Sequence, residues 1–329
     1  MLTFPDLFWK QKGQKNNFCS LVVPNKNYSY LEIQHKVMGL MSRLYSLGVT
    51  PTSLVAVKHN YIEGIFVEWA IWLLGAGIVF WDDNVDMATV FTILEEKKVS
   101  HWIVQDEQYF LDYEDNIDEL YDMIHVLCLQ HSENIIPITA SSYDQKDYIF
   151  SQKYKENSST QNIAMFHIQK DQNHIVLHSE LYKIERKISD IYSIYIPISR
   201  ITELRLFLIQ HIFDHRIECY QQSTFPYTQM DFCIVKPDFL QHMLARLQQI
   251  QAPISLGSAF ISWYTLLLQH VIFHQHLSKR VHIQLQLVKF FSTFFLRESM
   301  GIHRVGVFEK DSVLQNKLRF LGISFDCIK

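Results

Sequence analysis

Tyr28-Ser29-Tyr30-Leu31-Glu32-Ile33 opens the segment whose reading decides the fold, and that segment runs on to Asp106. Leu31, Val37, Leu40, Met41, Leu44 and Leu47 recur near helical spacing, and Gly48-Val49-Thr50-Pro51 closes the run. A short apolar strand follows at Ser53-Leu54-Val55-Ala56-Val57. Asn60, a residue suited to cap a helix, then introduces a helix from Tyr61 to Leu74. Gly75-Ala76-Gly77 ends that helix and leads directly into a second strand, Ile78-Val79-Phe80-Trp81. A third helix–strand pair finishes at Val99-Ser100-His101-Trp102-Ile103-Val104-Gln105-Asp106. Strands and helices alternating at these lengths predict parallel βαβ units.

Outward from this segment, residues 18–23 read as a lead-in strand and Pro24 to Asn27 as a turn. Ile117 to Met123 reads as a helix and Ile124 to Leu129 as a strand. Gln145 to Thr160 carries no aliphatic side chain after Phe150 and reads as a linker. It divides the chain into a first lobe, 1–150, and a second, 151–329. In the second lobe the predicted order is strand 163–168, then Val176 to Leu181 with a helix from there to about Ser189, and strand 191–196 closed by Pro197. Helix 201–213 and strand 216–220 follow, then strand 232–235 and helix 238–249. Strand 254–258, helix 262–275 and a strand near 281–288 complete it. The expected fold class is α/β: two stacked, doubly wound, mostly parallel sheets flanked by helices.

The 329 residues, 48% hydrophobic and 19% charged, suffice for a large core. A net charge of -4, with no basic run, gives no electrostatic footprint for nucleic acid. Met1 to Asp6 lacks the charged-then-apolar pattern of a signal peptide, and no window reaches the ~18 uninterrupted apolar residues of a membrane span. The expected location is therefore cytoplasmic. Five scattered cysteines without a CxxC pair fit free thiols in a reducing compartment.

The order Tyr28 to Ile33, Leu47-Gly48-Val49, Val55-Ala56-Val57, Asn60, Leu74-Gly75-Ala76-Gly77, Ile93-Leu94 and Asp106 resembles the large N-terminal domain of the adenylate-forming superfamily. That superfamily contains acyl- and aryl-CoA synthetases, luciferases and the adenylation domains of nonribosomal peptide synthetases. The resemblance continues at Pro197-Ile198-Ser199-Arg200 with Leu204, Leu208 and Ile217, and at Pro237 with Leu240 and Leu244. It reaches Ile254 to Ser262 and covers about 28–275. It implies pocket remnants at Arg200, Gly257, Ser258 and Ala259, and remnants of a nucleotide loop at Lys170, His178 and Ser179.

The motifs that carry the family's chemistry depart from its pattern. Adenylation needs a Gly/Ser/Thr-rich loop whose backbone amides close round phosphate oxygens. The corresponding stretch here is Gln169-Lys170-Asp171-Gln172-Asn173-His174, without glycine, serine or threonine, and no glycine occurs from Ile78 to Leu256. The aromatic-Gly-x-Thr-Glu stretch is replaced by Lys289-Phe290-Phe291-Ser292-Thr293-Phe294-Phe295-Leu296-Arg297-Glu298, and there is no Thr-Gly-Asp. The resemblance also implies that the family's small β-barrel and mobile C-terminal lid lie beyond this sequence. The reading is a degenerate relative, expected to hold no cofactor and no metal, serving as a protein-interaction or acyl/aryl-recognition subunit. Its partner would be another protein, either acyl carrier protein machinery or a second copy of the chain. The alternative is an acid-activating ligase using ATP and magnesium, with a partner completing its nucleotide site.

Two further features remain. His211 and His215 stand four apart on one helix face, a spacing that can chelate zinc, but no third ligand accompanies them, and His274, His276 and His282 read the same way. Phe290 and Phe294, with Phe291 less well aligned, share a helix side expected to face the core or, if the family's barrel and lid would have covered it, to form an exposed apolar docking surface.

Overall fold

The computed structural model describes residues 4, 8–9, 19–24, 26–59, 62–106, 108, 124–129, 136–138, 163–171, 174–182, 193–197, 205, 207–208, 212, 216–220, 230–249, 264–269, 271–272 and 284–328. The chain forms two compact units. One comprises 1–188 with 199–214, the other 189–198 with 215–329.

In the first unit, β1 (Cys19–Val23) and β2 (Lys26–Ser29) form an antiparallel hairpin. Ser29 then caps α1 (Tyr30–Ser46) through a capping box: its hydroxyl accepts from the Glu32 amide, while the Glu32 carboxylate accepts from the Ser29 amide. One stripe of α1, including Ile33, Val37, Met41 and Leu44, is buried. β3 (Leu54–Val57), α2 (Ile62–Leu73), β4 (Gly77–Trp81), α3 (Met87–Glu96) and β5 (His101–Val104) follow, as the spacing predicts. β6 (His125–Cys128), β7 (Ile136–Pro137), β8 (Ile163–Asp171) and β9 (His174–Tyr182) complete a sheet of order β7-β6-β5-β3-β4-β8-β9. All its pairs are parallel except β8–β9.

The chain steps from β3 to its neighbour β4, then crosses back over β3 to β5, which makes the sheet doubly wound. α3 covers one face, its Val90, Phe91 and Leu94 packing with Ala56, Val79, Trp81 and Trp102. Alternation along the strands turns Val55, Ile78 and Phe80 to the other face.

The second unit repeats this winding. β10 (Ser193–Pro197), β11 (Arg216–Tyr220), β12 (Met230–Ile234), α4 (Phe239–Gln249), α5 (Gln284–Met300), β13 (Ile302–Phe308), α6 (Ser312–Leu321) and β14 (Phe325–Ile328) occur in that order along the chain. Its strands lie in the order β14-β13-β12-β10-β11, all parallel. Tyr264, Leu268, Phe295, Leu296, Met300 and Leu318 pack on the strand residues Cys233, Val305 and Val307. Gly306 is required where β13 passes between neighbours, because a Cβ there would meet Ile328 and Phe232 side chains at 2.7 Å.

Several expectations need correction. The boundary anticipated near 145–160 lies outside the described residues, but β8 pairs with β4 and so continues the first unit's sheet to at least Tyr182. The helix anticipated from Leu181 is strand to Tyr182, because that stretch completes an antiparallel ladder with β8; its remainder is outside the described residues. The strand anticipated near 281–288 is helical from Gln284. On α5 the buried stripe runs through Ser292, Phe295, Leu296 and Met300, and Phe294 is half exposed. The helix expected over 117–123 and the strand expected over 254–258 lie outside the described residues.

Candidate functional site

α2 reads Ile-Glu-Gly-Ile-Phe-Val-Glu-Trp-Ala-Ile-Trp-Leu, apolar on nearly every side, and only Glu63 escapes full burial. Glu68 therefore stands as a carboxylate with no exposure. A charge taken out of water is tolerated only beside compensating partners, and Glu68 has two. His59, two residues past the end of β3, donates from Nε2 to Glu68 Oε1 at 2.9 Å. Arg205 brings its Nε to 3.2 Å from Glu68 Oε2. That Nε is buried and not aligned for a directed hydrogen bond, so the contact is coulombic. His59 can lie this close to α2 because residue 64 is glycine; a Cβ there would fall within the imidazole ring.

The cluster continues outward along β4. The Arg205 guanidinium carbon sits 3.9 Å from the centroid of Phe80, within cation–π range. Phe80 is paired in register with His167 of β8, and the two rings stack at 4.3 Å with 20° between planes. His167 Nε2 lies 2.8 Å from Asp82 Oδ1. Lys58, just past β3, donates to the Trp81 carbonyl at 3.0 Å and pairs with Asp83. Side-chain exposure rises from 0% at Glu68 and 10% at Arg205 to 45% at Asp82 and 88% at Asp83. The polar groups thus form a graded path from the interior to the carboxyl ends of β3 and β4. Open parallel sheets offer a ligand crevice at that edge.

The residues anticipated for the nucleotide loop are ladder residues. Lys170 is paired with Ile175, His178 with His167, and Ser179 with Phe166. Pairing persists to Asp171 opposite His174, leaving only Gln172 and Asn173 between the strands. Arg200, Gly257, Ser258 and Ala259 lie outside the described residues, as do His211, His215, His274, His276 and His282. Among the described residues no three His, Cys, Asp or Glu side chains gather as a metal site. Burial pushes the Cys219 and Cys233 thiols up to about 12, which suits packing rather than nucleophilic chemistry.

Motif reasoning passes over His59, Glu68, Phe80, Asp82, His167 and Arg205, which together form the cluster. One signal was present: Glu68 interrupts a run that is otherwise apolar from Ile65 to Leu74. Its partner Arg205 is 137 positions away, so no local spacing could identify the pair.

No family model matches the sequence, and no curated protein matches it. Solved structures do. A coronafacic acid ligase from Pectobacterium brasiliense superposes with a TM-score of 0.59 at 10% identity, covering 99% of this chain and 60% of that enzyme. The anthranilate CoA ligase AuaEII, solved with anthranoyl-AMP, gives 0.58 at 8% identity, covering 99% and 58%. A fatty acyl CoA synthetase of Mycobacterium tuberculosis gives 0.57 at 9% identity, covering 98% and 58%. The chain thus spans less than two thirds of the length of these three enzymes. Its two mostly parallel sheets flanked by helices have the fold of the N-terminal domain of adenylate-forming enzymes.

Proposed function

We propose that this chain is a non-adenylating counterpart of the adenylate-forming ligases, acting in the cytoplasm as an acyl- or aryl-recognition and protein-interaction subunit. The observation that carries this reading is the β8–β9 hairpin. Its ladder runs unbroken from Ile163 opposite Tyr182 to Asp171 opposite His174. Backbone amides engaged in an antiparallel ladder are not free to wrap a triphosphate, and a two-residue connection is too short for the Gly-rich cradle that phosphates need. An acid as ligand is suggested by the similar structures, whose names include anthranilate, coronafacic acid and fatty acyl ligases. The proposed partner is a protein, either carrier-protein machinery or a second copy of this chain.

Thermal unfolding with and without millimolar Mg-ATP tests the reading, together with acid-dependent pyrophosphate release. A ligand at about 100 times its Kd stabilises the folded state by about 2.7 kcal/mol, or roughly a few degrees in a protein of this size. The expected result is no shift and no pyrophosphate. A saturable shift with Mg-ATP would overturn the reading in favour of an acid-activating ligase whose site a partner completes.

A further inference from the structure

We propose that Phe4, Phe8 and Trp9 form an exchangeable aromatic strap over α1 and α2, and that the groove they fill receives the same strap from a second copy of the chain. This names one of the protein partners considered above and rests on that reading. None of these residues bears on nucleotide binding, so the outcome is judged apart from that of the Mg-ATP experiment.

Phe4, Phe8 and Trp9 are helical and buried. The Phe4 ring lies 6.0 Å from the rings of both Trp69 and Trp72 on α2, and Phe8 meets Trp9 edge-on at 4.9 Å. From α1, the Tyr30 hydroxyl and the Gln34 amide donate to the Phe8 carbonyl at 2.7 and 3.0 Å. The polar side of this seat is incomplete. Trp9 Nε1 on the strap and Trp72 Nε1 on α2 are buried, and neither finds an acceptor among the described residues. Burying a donor in this way forfeits the hydrogen bond that water gives it. Opening the strap returns both indoles to water and so offsets part of the apolar contact that is lost.

The sequence supplies the reach. Lys10-Gln11-Lys12-Gly13-Gln14-Lys15-Asn16-Asn17 follows the strap without one apolar side chain, which is the composition of a linker. A chain of that length spans at most about 29 Å, comparable to the diameter of a small domain. Exchanging an identical element rebuilds between two copies the contacts made within one, which makes it a low-cost route to a dimer. Phe4 and Phe8 stand four apart on one helical side, the spacing by which an amphipathic helix anchors in an apolar groove.

Fluorescence anisotropy of a labelled peptide of residues 1–12, titrated with the full chain, tests the groove, and sedimentation of mixed chains tests the second copy. The variants lie in the strap, because a groove substitution would weaken the resident strap and the peptide alike. Phe4→Ala/Phe8→Ala loosens the chain's own strap, so the wild-type peptide should bind this variant saturably. It should bind the wild-type chain about tenfold or more weakly, since a tethered strap competes at roughly millimolar effective concentration. A peptide carrying both alanines should not bind. Phe4→Leu keeps an apolar side chain and serves if the double variant does not fold; it should shift affinity the same way by a smaller factor. In an equimolar mixture, wild-type straps should fill the double variant's grooves and give a mixed dimer that the variant alone does not form. No peptide binding to a folded strap variant, equal affinity for variant and wild type, or binding of the alanine peptide would each overturn the groove. Absence of the mixed dimer where the peptide binds would overturn the second copy as its occupant.

Discussion

The two units are wound alike and filled differently. Each steps to a neighbouring strand and then crosses back over the first, giving β7-β6-β5-β3-β4 in one and β14-β13-β12-β10-β11 in the other. Among the described residues, the first unit buries His59, Glu68, His101 and Arg205, all of them titratable. The second buries Ser193, Ser292 and Gln315, all neutral. Buried neutral groups are satisfied locally: Tyr264 and Ser292 share a 2.6 Å hydrogen bond, and the Gln315 amide donates to the Phe308 carbonyl. Buried charges are costly even when paired, and stability alone does not call for them. The winding is shared, and the difference lies in the filling: buried charged groups in the first unit and buried neutral ones in the second.

The largest effect should come from breaking the charged filling. Glu68→Ala leaves the Arg205 cation buried without its counter-charge, and urea denaturation should record a loss of about 3–5 kcal/mol. Replacing Glu68 and Arg205 together with Met should be neutral or stabilising, by up to ~4 kcal/mol; a loss as large as that of Glu68→Ala would show that the cluster is structural in origin.

Gly64→Ala comes next. The added methyl must displace the His59 ring, an overpacking that costs about 1–3 kcal/mol. A change near zero would mean that His59 can leave α2 freely. In the second unit, Tyr264→Phe removes one neutral hydrogen bond from a packed core, and a smaller loss of about 1 kcal/mol is expected. A loss equal to that of Glu68→Ala would erase the contrast between the two fillings.

The smallest expected effect is in pH. His101 donates from Nε2 to the Leu47 carbonyl at 3.0 Å, and burial holds its pKa below the usual 6.5, with a further push from neighbouring His125. A histidine depressed in the folded state is protonated more readily when unfolded. Its contribution is therefore complete above pH 6.5 and is lost as pH falls through that value toward the depressed one. Urea midpoints across this range should fall with pH in the wild type and flatten in His101→Gln, which retains a donor toward Leu47. An unchanged slope in the variant would place the titration elsewhere.

Much of the first unit was legible because its signals are local. Ser29 and Glu32 stand at capping-box spacing, Gly48 and Gly75 have positive φ where helices end, and a helix between successive short apolar strands supplies the crossover that parallel pairing needs. The reading failed where the pairing partner is distant. Nothing in Val176 to Tyr182 distinguishes a strand from the start of a helix until β8 lies beside it. Val281-His282-Ile283-Gln284-Leu285-Gln286-Leu287 alternates apolar and polar residues at the strand period, yet the chain is helical from Gln284, so local alternation alone gives the wrong element there.

The sequence by itself determined the alternation of strands and helices, the αβ class, and a stretch from Gln169 to His174 that holds no glycine, serine or threonine. The first two rest on the period of apolar residues and on where glycines end the helices. Only the tertiary structure decided that β8 and β9 belong to the first sheet, and that Glu68, His59 and Arg205 share one buried cluster. Burial and pairing depend on which distant segments fold together, and only three-dimensional packing brings position 205 to position 68.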